Sequence, residues 1–278
     1  MRTVRTVADL RRELSGRDGI ELVPTMGYLH DGHLSLIRHA RAECAVVVVS
    51  LFVNPKQFGE GEDLDAYPRD EARDAALGAE AGADLLFAPA LAEVYPDGFS
   101  TTVDVGGVTD VLCGAARPGH FAGVTTVVTK LLNMVRPDVA YFGQKDAQQA
   151  LVIRKLVRDL DMPVRVEVCP TVREPDGLAL SSRNAYLSAE ERARALGLSR
   201  ALRAAETAVA AGRIEAAEIL AAVREQLQQC GLEPEYVELR SAKDLTPVER
   251  VNGSTLLAVA AQVGRARLID NTILTGDK

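Results

Sequence analysis

The chain has 278 residues, 47% of them apolar, and a formal net charge of −7. That length suits two domains at roughly 150 residues each, with enough apolar mass for a core. The negative balance argues against general affinity for DNA, RNA or an anionic membrane, which demand a basic face, and leaves room for a small anionic ligand in a local positive pocket. Along the chain, residues 21–24 read as a strand and 33–44 as an amphipathic helix. Residues 45–52 form a continuous, β-branched run that fits a strand buried on both faces. The pattern then alternates: helix 70–81, strand 84–88, helix 124–135, strand 139–142, helix 147–160, strand 164–168. Strands separated by helices imply right-handed crossovers and a parallel sheet. In such sheets a ligand crevice lies beyond the carboxyl ends of the strands, so the loops after Val23, Phe52, Phe142 and Cys169 are expected to face one site. A turn-rich stretch, Arg173-Glu174-Pro175-Asp176-Gly177, marks a change of character. Beyond it come two alanine-rich helices, 188–211 and 214–229, joined at Gly212, and three short strands, 236–240, 255–261 and 266–271. The expected division is an α/β domain over 1–174 and a smaller α+β domain over 175–278.

Residues 1–14 are charged and amphipathic, unlike a signal peptide. The longest apolar run, 45–53, falls far short of the roughly 20 residues that cross a bilayer. Cys44, Cys113, Cys169 and Cys230 lie far apart, with no Cys-x-x-Cys or Cys/His cluster. That argues against structural zinc and for reduced thiols in a cytoplasmic protein.

Six segments carry chemistry. The first is Pro24-Thr25-Met26-Gly27-Tyr28-Leu29-His30-Asp31-Gly32-His33, a strand–loop–helix junction. Backbone N–H groups at a helix N-terminus are unpaired and carry partial positive charge, and glycine admits close backbone approach, so the junction suits a nucleotide polyphosphate. A lone histidine is more often structural. His30 and His33, however, are two of the chain's four histidines, spaced to put both imidazoles on one side of the first helical turn. As donors they suit phosphate oxygens whose charge grows during transfer.

The second segment is Ser50-Leu51-Phe52-Val53-Asn54-Pro55-Lys56-Gln57-Phe58-Gly59. Asn54 reads as turn chemistry by itself and Gln57 as an exposed amide, but their place beside the first motif's strand favours substrate contact. The third, Asp63-Leu64-Asp65-Ala66-Tyr67-Pro68-Arg69-Asp70, reads as a solvated loop and helix cap; Asp74, one turn onward, is a carboxylate able to hold Mg²⁺ through water. The fourth, Arg117-Pro118-Gly119-His120-Phe121-Ala122-Gly123-Val124, is a glycine-rich cationic loop that serves equally as a flexible lid or a substrate cover. In the fifth, Tyr141-Phe142-Gly143-Gln144-Lys145-Asp146-Ala147-Gln148-Gln149, Asp146 can cap a helix while Lys145 offers phosphate a point charge. The sixth is Leu178-Ala179-Leu180-Ser181-Ser182-Arg183-Asn184. Two hydroxyls and an arginine there can grip a triphosphate, although alone it would be a plain turn. Together these sequence-distant tips are expected to form one cationic cradle.

The combination Pro-Thr-Met-Gly-x-Leu-His-x-Gly-His, Phe-Val-Asn-Pro-x-Gln-Phe, Arg-Pro-Gly-His-Phe-x-Gly-Val, Phe-Gly-x-Lys-Asp and Ser-Ser-Arg-Asn closely resembles the pantothenate synthetase (pantoate–β-alanine ligase) family, from Pro24 through Asn184. His-x-Gly-His alone is shared with nucleotidyltransferases and class I aminoacyl-tRNA synthetases. The resemblance implies a Rossmann-like N-terminal domain, a smaller C-terminal lid domain and a homodimer. It implies ATP-dependent condensation of (R)-pantoate with β-alanine through a pantoyl adenylate, with Mg²⁺. By that analogy the ATP site takes Met26, Gly27, Tyr28, Leu29, His30, Asp31, Gly32 and His33; Gly143, Gln144, Lys145 and Asp146; Val172; and Leu180, Ser181, Ser182 and Arg183. His33 would be the proton donor and His30 its companion on the phosphates, with Lys145, Ser181, Ser182 and Arg183 sharing the catalytic work. Gln57 would meet pantoate and β-alanine, and Gln149 pantoate; Asn54 and His120 would complete the polar pocket.

By the same resemblance three positions depart from the usual family pattern: Tyr28 stands where the family often has a small residue, Leu180 where it usually has a methionine, and Arg73 where it usually has an acidic residue, beside Asp74. The alternative function is a nucleotidyltransferase that joins AMP to a phosphorylated metabolite. It gives no reason for the Asn-Pro-x-Gln-Phe and Ser-Ser-Arg-Asn segments together. A nucleotide-binding regulator without turnover would leave the many convergent polar groups unused.

Overall fold

A computed structural model describes residues 1–276; residues 277–278, at the end of the expected second domain, lie outside the described residues. Its backbone divides into two units. The first comprises Met1–Gln144 and Gln148–Pro170, the second Lys145–Ala147 and the chain from Thr171 onward.

The first unit is built on the strands Arg2–Val4 (β1), Ile20–Thr25 (β2), Val46–Leu51 (β3), Leu85–Phe87 (β4), Val139–Gly143 (β5) and Arg165–Cys169 (β6). They form one parallel sheet in the order β1-β4-β3-β2-β5-β6. The run read as a doubly buried strand is β3, where Val47, Val48 and Val49 are wholly buried; each such side chain contributes about 1.5–3 kcal/mol by leaving water. Its helices are Val7–Leu14 (α1), Asp31–Glu43 (α2), Glu71–Ala81 (α3), Leu91–Val94 (α4), Cys113–Ala116 (α5), His120–Val135 (α6) and, across the unit boundary, Ala147–Asp159 (α7). Chain order reverses between β2 and β5, so the loops leaving their carboxyl ends flank the switch point where such sheets bind ligands.

Three features differ from the sequence expectation. Residues 2–4 form an edge strand that no periodicity announces; it is short and polar, and only Val4 is buried. Helix α2 begins at Asp31, with His30 as its cap. Helix α6 begins at His120, four residues before the expected start at Val124.

In the second unit, the helices Ala189–Ala210 (α8) and Ala216–Gln229 (α9) and the antiparallel strands Pro234–Ser241 (β7), Gly253–Val263 (β8) and Ala266–Gly276 (β9) share one core. Ala195, Leu198, Leu202 and Ala205 make the buried stripe of α8, at the three-to-four spacing a helix needs to present one face. A capping box of Ser188 and Glu191 starts that helix, satisfying two otherwise orphaned amides. The turn at 173–177 closes on itself through the Arg173–Ala179 bridge and the Glu174 N–H bond to Leu178 O. The unit boundary therefore falls before that turn, at Pro170/Thr171. Among the described residues no helix is long and apolar enough to cross a membrane.

Candidate active site

In the first unit the loop after β2 is held in a conformation that most residues avoid. Gly27 and Tyr28 have φ of +88° and +52°, the left-handed region that costs a side chain energy. Asp74 of α3 reaches beneath and accepts the Tyr28 and Leu29 N–H groups, each at 2.7 Å. A Cβ at position 27 would lie 3.0 Å from the same carboxylate, so glycine is required there for space as well as for φ. The two turn amides cradle an anion supplied by the protein itself. Asp74 is buried, which pushes its carboxyl above the ordinary range against the pull of the Leu29 and Tyr28 amides. Arg73 donates to Leu29 O at 2.9 Å and lies over the Tyr28 ring at 5.1 Å. The ring at position 28 is thus stacked by the arginine at 73.

The loop ends at His30, whose Nδ1 accepts the Gly32 N–H at 3.2 Å. That bond caps α2 and selects the tautomer with hydrogen on Nε2. The His30 and His33 rings stand 4.1 Å apart, tilted by 35°. Two positive charges at that distance would repel by about 4 kcal/mol at an effective dielectric near 20.

Beside this loop, Asn54 caps the 3₁₀ turn Pro55–Gln57. Its buried amide uses every hydrogen-bonding position: Oδ1 accepts from Tyr95 Oη (2.8 Å) and Lys56 N (3.3 Å), while Nδ2 donates to Gln57 Oε1 and Gly123 O (both 3.1 Å). Gln57 then has its Nε2 on Met26 Sδ at 3.0 Å. The turn rests on α6 backbone to backbone, since a Cβ at Gly123 would lie 2.1 Å from Lys56 O. This close approach explains the Gly123 that the sequence reading placed in a loop. His120 Nδ1 lies 2.8 Å from Gln57 O, and its Nε2 3.2 Å from Arg117 Nη1. A carbonyl only accepts and a guanidinium only donates, so the ring carries its hydrogen on Nδ1. Arg117 also holds Gln57 O and pairs with Glu62, keeping the Glu62 carboxyl below its ordinary range. The fourth segment thus grips the main chain of the second. Asp70 caps α3 through the Arg73 N–H. Gly143 ends β5, and Gln144 begins the short turn that follows. Gln149 is partly exposed on α7. Its neighbour Gln148 is buried and ties the loop at 108–113 through Val108 O, Val111 O and Cys113 N.

In the second unit, Ser181 caps the turn Ser182–Tyr186 by accepting the Arg183 N–H. Leu180 N bonds Val172 O at 3.0 Å, bringing two expected nucleotide contacts side by side. Residues to which sequence reasoning gave no role of their own hold this segment. Asn184 donates to Glu174 and to Ala179 O; Arg192 pairs with Glu174 and Asp176. Arg173 grips Asp270 with two bonds of 2.6 and 2.9 Å. Asn271, next on β9, donates to Lys145 O at 2.8 Å. The signal was an Asp-Asn pair inside an apolar strand, which demands buried partners. Lys145 meets Asp146 only at 3.9 Å.

The family profile described as pantoate-beta-alanine ligase matches residues 1–273. A pantothenate synthetase of Moorella thermoacetica is 53% identical over 99% of both chains. Among solved structures, pantothenate synthetase from Thermus thermophilus superposes with a TM-score of 0.96 at 52% identity, covering 99% of this chain and 100% of that one. The Francisella tularensis pantoate-beta-alanine ligase, complexed with beta-gamma ATP and beta-alanine, does so with 0.82 at 34% identity, covering 98% and 97%.

Proposed function

The chain belongs to the pantoate-beta-alanine ligase family, and from that premise we propose how it makes pantothenate from pantoate, β-alanine and ATP. A pantoate carboxylate oxygen attacks the α-phosphorus, and pyrophosphate leaves. The neutral amine of β-alanine then attacks the acyl carbon of the adenylate; an amide forms, AMP leaves and the amine gives up a proton. Pantoate is ionised at neutral pH, so the first step needs no general base. It needs two anions held together and aligned.

Each unit offers groups for that task. In the first, His30 carries its hydrogen on Nε2 because its Nδ1 accepts the helix-cap N–H. His33, at 4.1 Å, is its partner on the phosphates. In the second, Lys145 is a loosely paired cation, and Ser181, Ser182 and Arg183 follow one another at the start of a capped 3₁₀ turn. Burial pushes Cys44 and Cys169 up to about 11. Neither is a thiolate at neutral pH, which supports activation of the substrate over a covalent enzyme intermediate.

Magnesium enters as the ATP complex, held by phosphate oxygens and water. Asp74 does not fit as its ligand. The carboxylate is buried, both oxygens take loop amides, and its neighbour is Arg73. Chemistry in the cytoplasm agrees with four free cysteines among the described residues. The homodimer rests on the family resemblance, and sedimentation equilibrium reads it directly.

The observation that favours a ligase over a nucleotidyltransferase is the contact of Gln57 Nε2 with Met26 Sδ, 3.0 Å. It sets an amide suited to a carboxylate substrate against the first residue of the nucleotide loop. The test is pantoate-dependent exchange of pyrophosphate into ATP without β-alanine. Exchange is expected; its absence, with pantothenate still formed once β-alanine is added, rejects a free adenylate.

A further inference from the structure

We propose that Tyr95 is a positioning residue that fixes, through Asn54, which end of the Gln57 carboxamide faces the substrate. This rests on the ligase function proposed above. A glutamine amide has a donor end and an acceptor end of nearly the same shape, and only its partners decide between them. For a carboxylate substrate the choice matters. The NH₂ end donates to the anion, whereas the oxygen end repels it.

The relay begins at the Tyr95 ring, set between Phe52 (6.0 Å) and Phe99 (5.0 Å), with Lys56 Nζ over its face at 5.3 Å. Burial pushes its hydroxyl up to about 12, so it keeps its proton throughout the neutral range. That hydroxyl supplies Asn54 Oδ1 with its short bond, 2.8 Å; the other, from Lys56 N, is 3.3 Å. With Oδ1 committed, Nδ2 turns to Gly123 O and Gln57 Oε1. Gln57 is left with its NH₂ end pointing to Met26. The chain of donors runs one way, from phenol to substrate. Removing the phenol leaves a buried Asn54 oxygen with one long bond, from Lys56 N, and so loosens the amide that holds Gln57 Oε1.

The experiment is steady-state kinetics on the full-length chain, with each substrate varied in turn, for wild type, Tyr95→Phe, Gln57→Ala and the double variant. Phenylalanine keeps the ring and its packing, so the melting temperature should stay within a few degrees. The KM of pantoate or of β-alanine should rise about tenfold, the ratio expected for one lost hydrogen bond, while the KM of ATP stays within about twofold. In the Gln57→Ala background the same change should have no further effect, because the amide it orients is gone. A purely structural tyrosine would leave all KM values unchanged, or would add its penalty in both backgrounds; either result overturns the proposal. Asn54→Asp is a second route. An aspartate can only accept, so it draws the Gln57 NH₂ inward, and it should raise the same KM without lowering ATP affinity. An unchanged KM in that variant also overturns the proposal. Failure of the ligase function itself reads differently, as a wild-type chain that forms no pantothenate.

Discussion

The loop over residues 26–30 and the segment Ser181-Ser182-Arg183 are each proposed to meet phosphate, yet different forces hold them. The loop is fixed by one buried carboxylate on two backbone amides. The segment is fixed by ion pairs, Arg173 with Asp270 and Arg192 with Glu174 and Asp176, that tie a turn to a helix and to the last strand. The carboxylate takes two consecutive amides and holds a strained φ. The paired charges bind side chain to side chain, and each leaves a stranded ion when its partner is lost.

The largest expected effect breaks the second arrangement. Arg173→Ala strands Asp270, whose side chain is only 2% exposed. Stability should fall by about 3 kcal/mol, measured by urea unfolding. A change within experimental error would mean that the pair is not what anchors β9 to the turn. Next comes Lys145→Ala, which removes a charge paired only loosely with Asp146. Turnover should drop at least about a hundredfold while the urea midpoint stays put. A near-normal kcat at saturating substrates would make this lysine structural.

Asp74→Asn breaks the first arrangement, replacing one acceptor with a donor beneath the Tyr28 and Leu29 amides. About 1–3 kcal/mol of stability should be lost, with a raised KM for ATP. The magnesium concentration giving half-maximal rate should not move; a large shift would restore Asp74 as a metal partner. The smallest effect concerns pH. Arg117 holds the Glu62 carboxyl below its ordinary range. That pair therefore adds stability above about pH 4.3, and the contribution is lost as pH falls through the lowered folded value. Because both groups are partly exposed, Glu62→Gln should lower stability at pH 7 by under about 1 kcal/mol, and the difference from wild type should vanish as pH falls through the lowered folded value.

The sheet was legible because its signal is local. A run such as Ala45-Val46-Val47-Val48-Val49 has no reason to exist outside a strand with two buried faces. The edge strand β1 escaped because an edge with one buried residue carries almost no pattern. The histidine loop was legible from Gly27 and the His30/His33 spacing, down to the shared side of the two rings. The same local reading offered the Tyr28 and Leu29 amides to a ligand, although Asp74, some 45 residues on, occupies them. Arg173 and Asp270 are separated by 97 residues, and Tyr95 and Asn54 by 41. No spacing rule joins such pairs, since only the folded chain decides which buried polar groups satisfy each other. Gly123 misled in the opposite sense. A glycine after Arg-Pro-Gly reads as loop, whereas here it sits in the first turn of α6 to let another backbone in.

That contact at Gly123 limits how the enzyme can change. Where Lys56 and Gly123 touch, no side chain separates the two main chains, so none can be trimmed to widen the space around Gln57. Bulkier acids or longer amines would have to be accommodated on another wall. Selection for altered substrate scope should leave positions 54–57 and 123 untouched and collect its changes elsewhere.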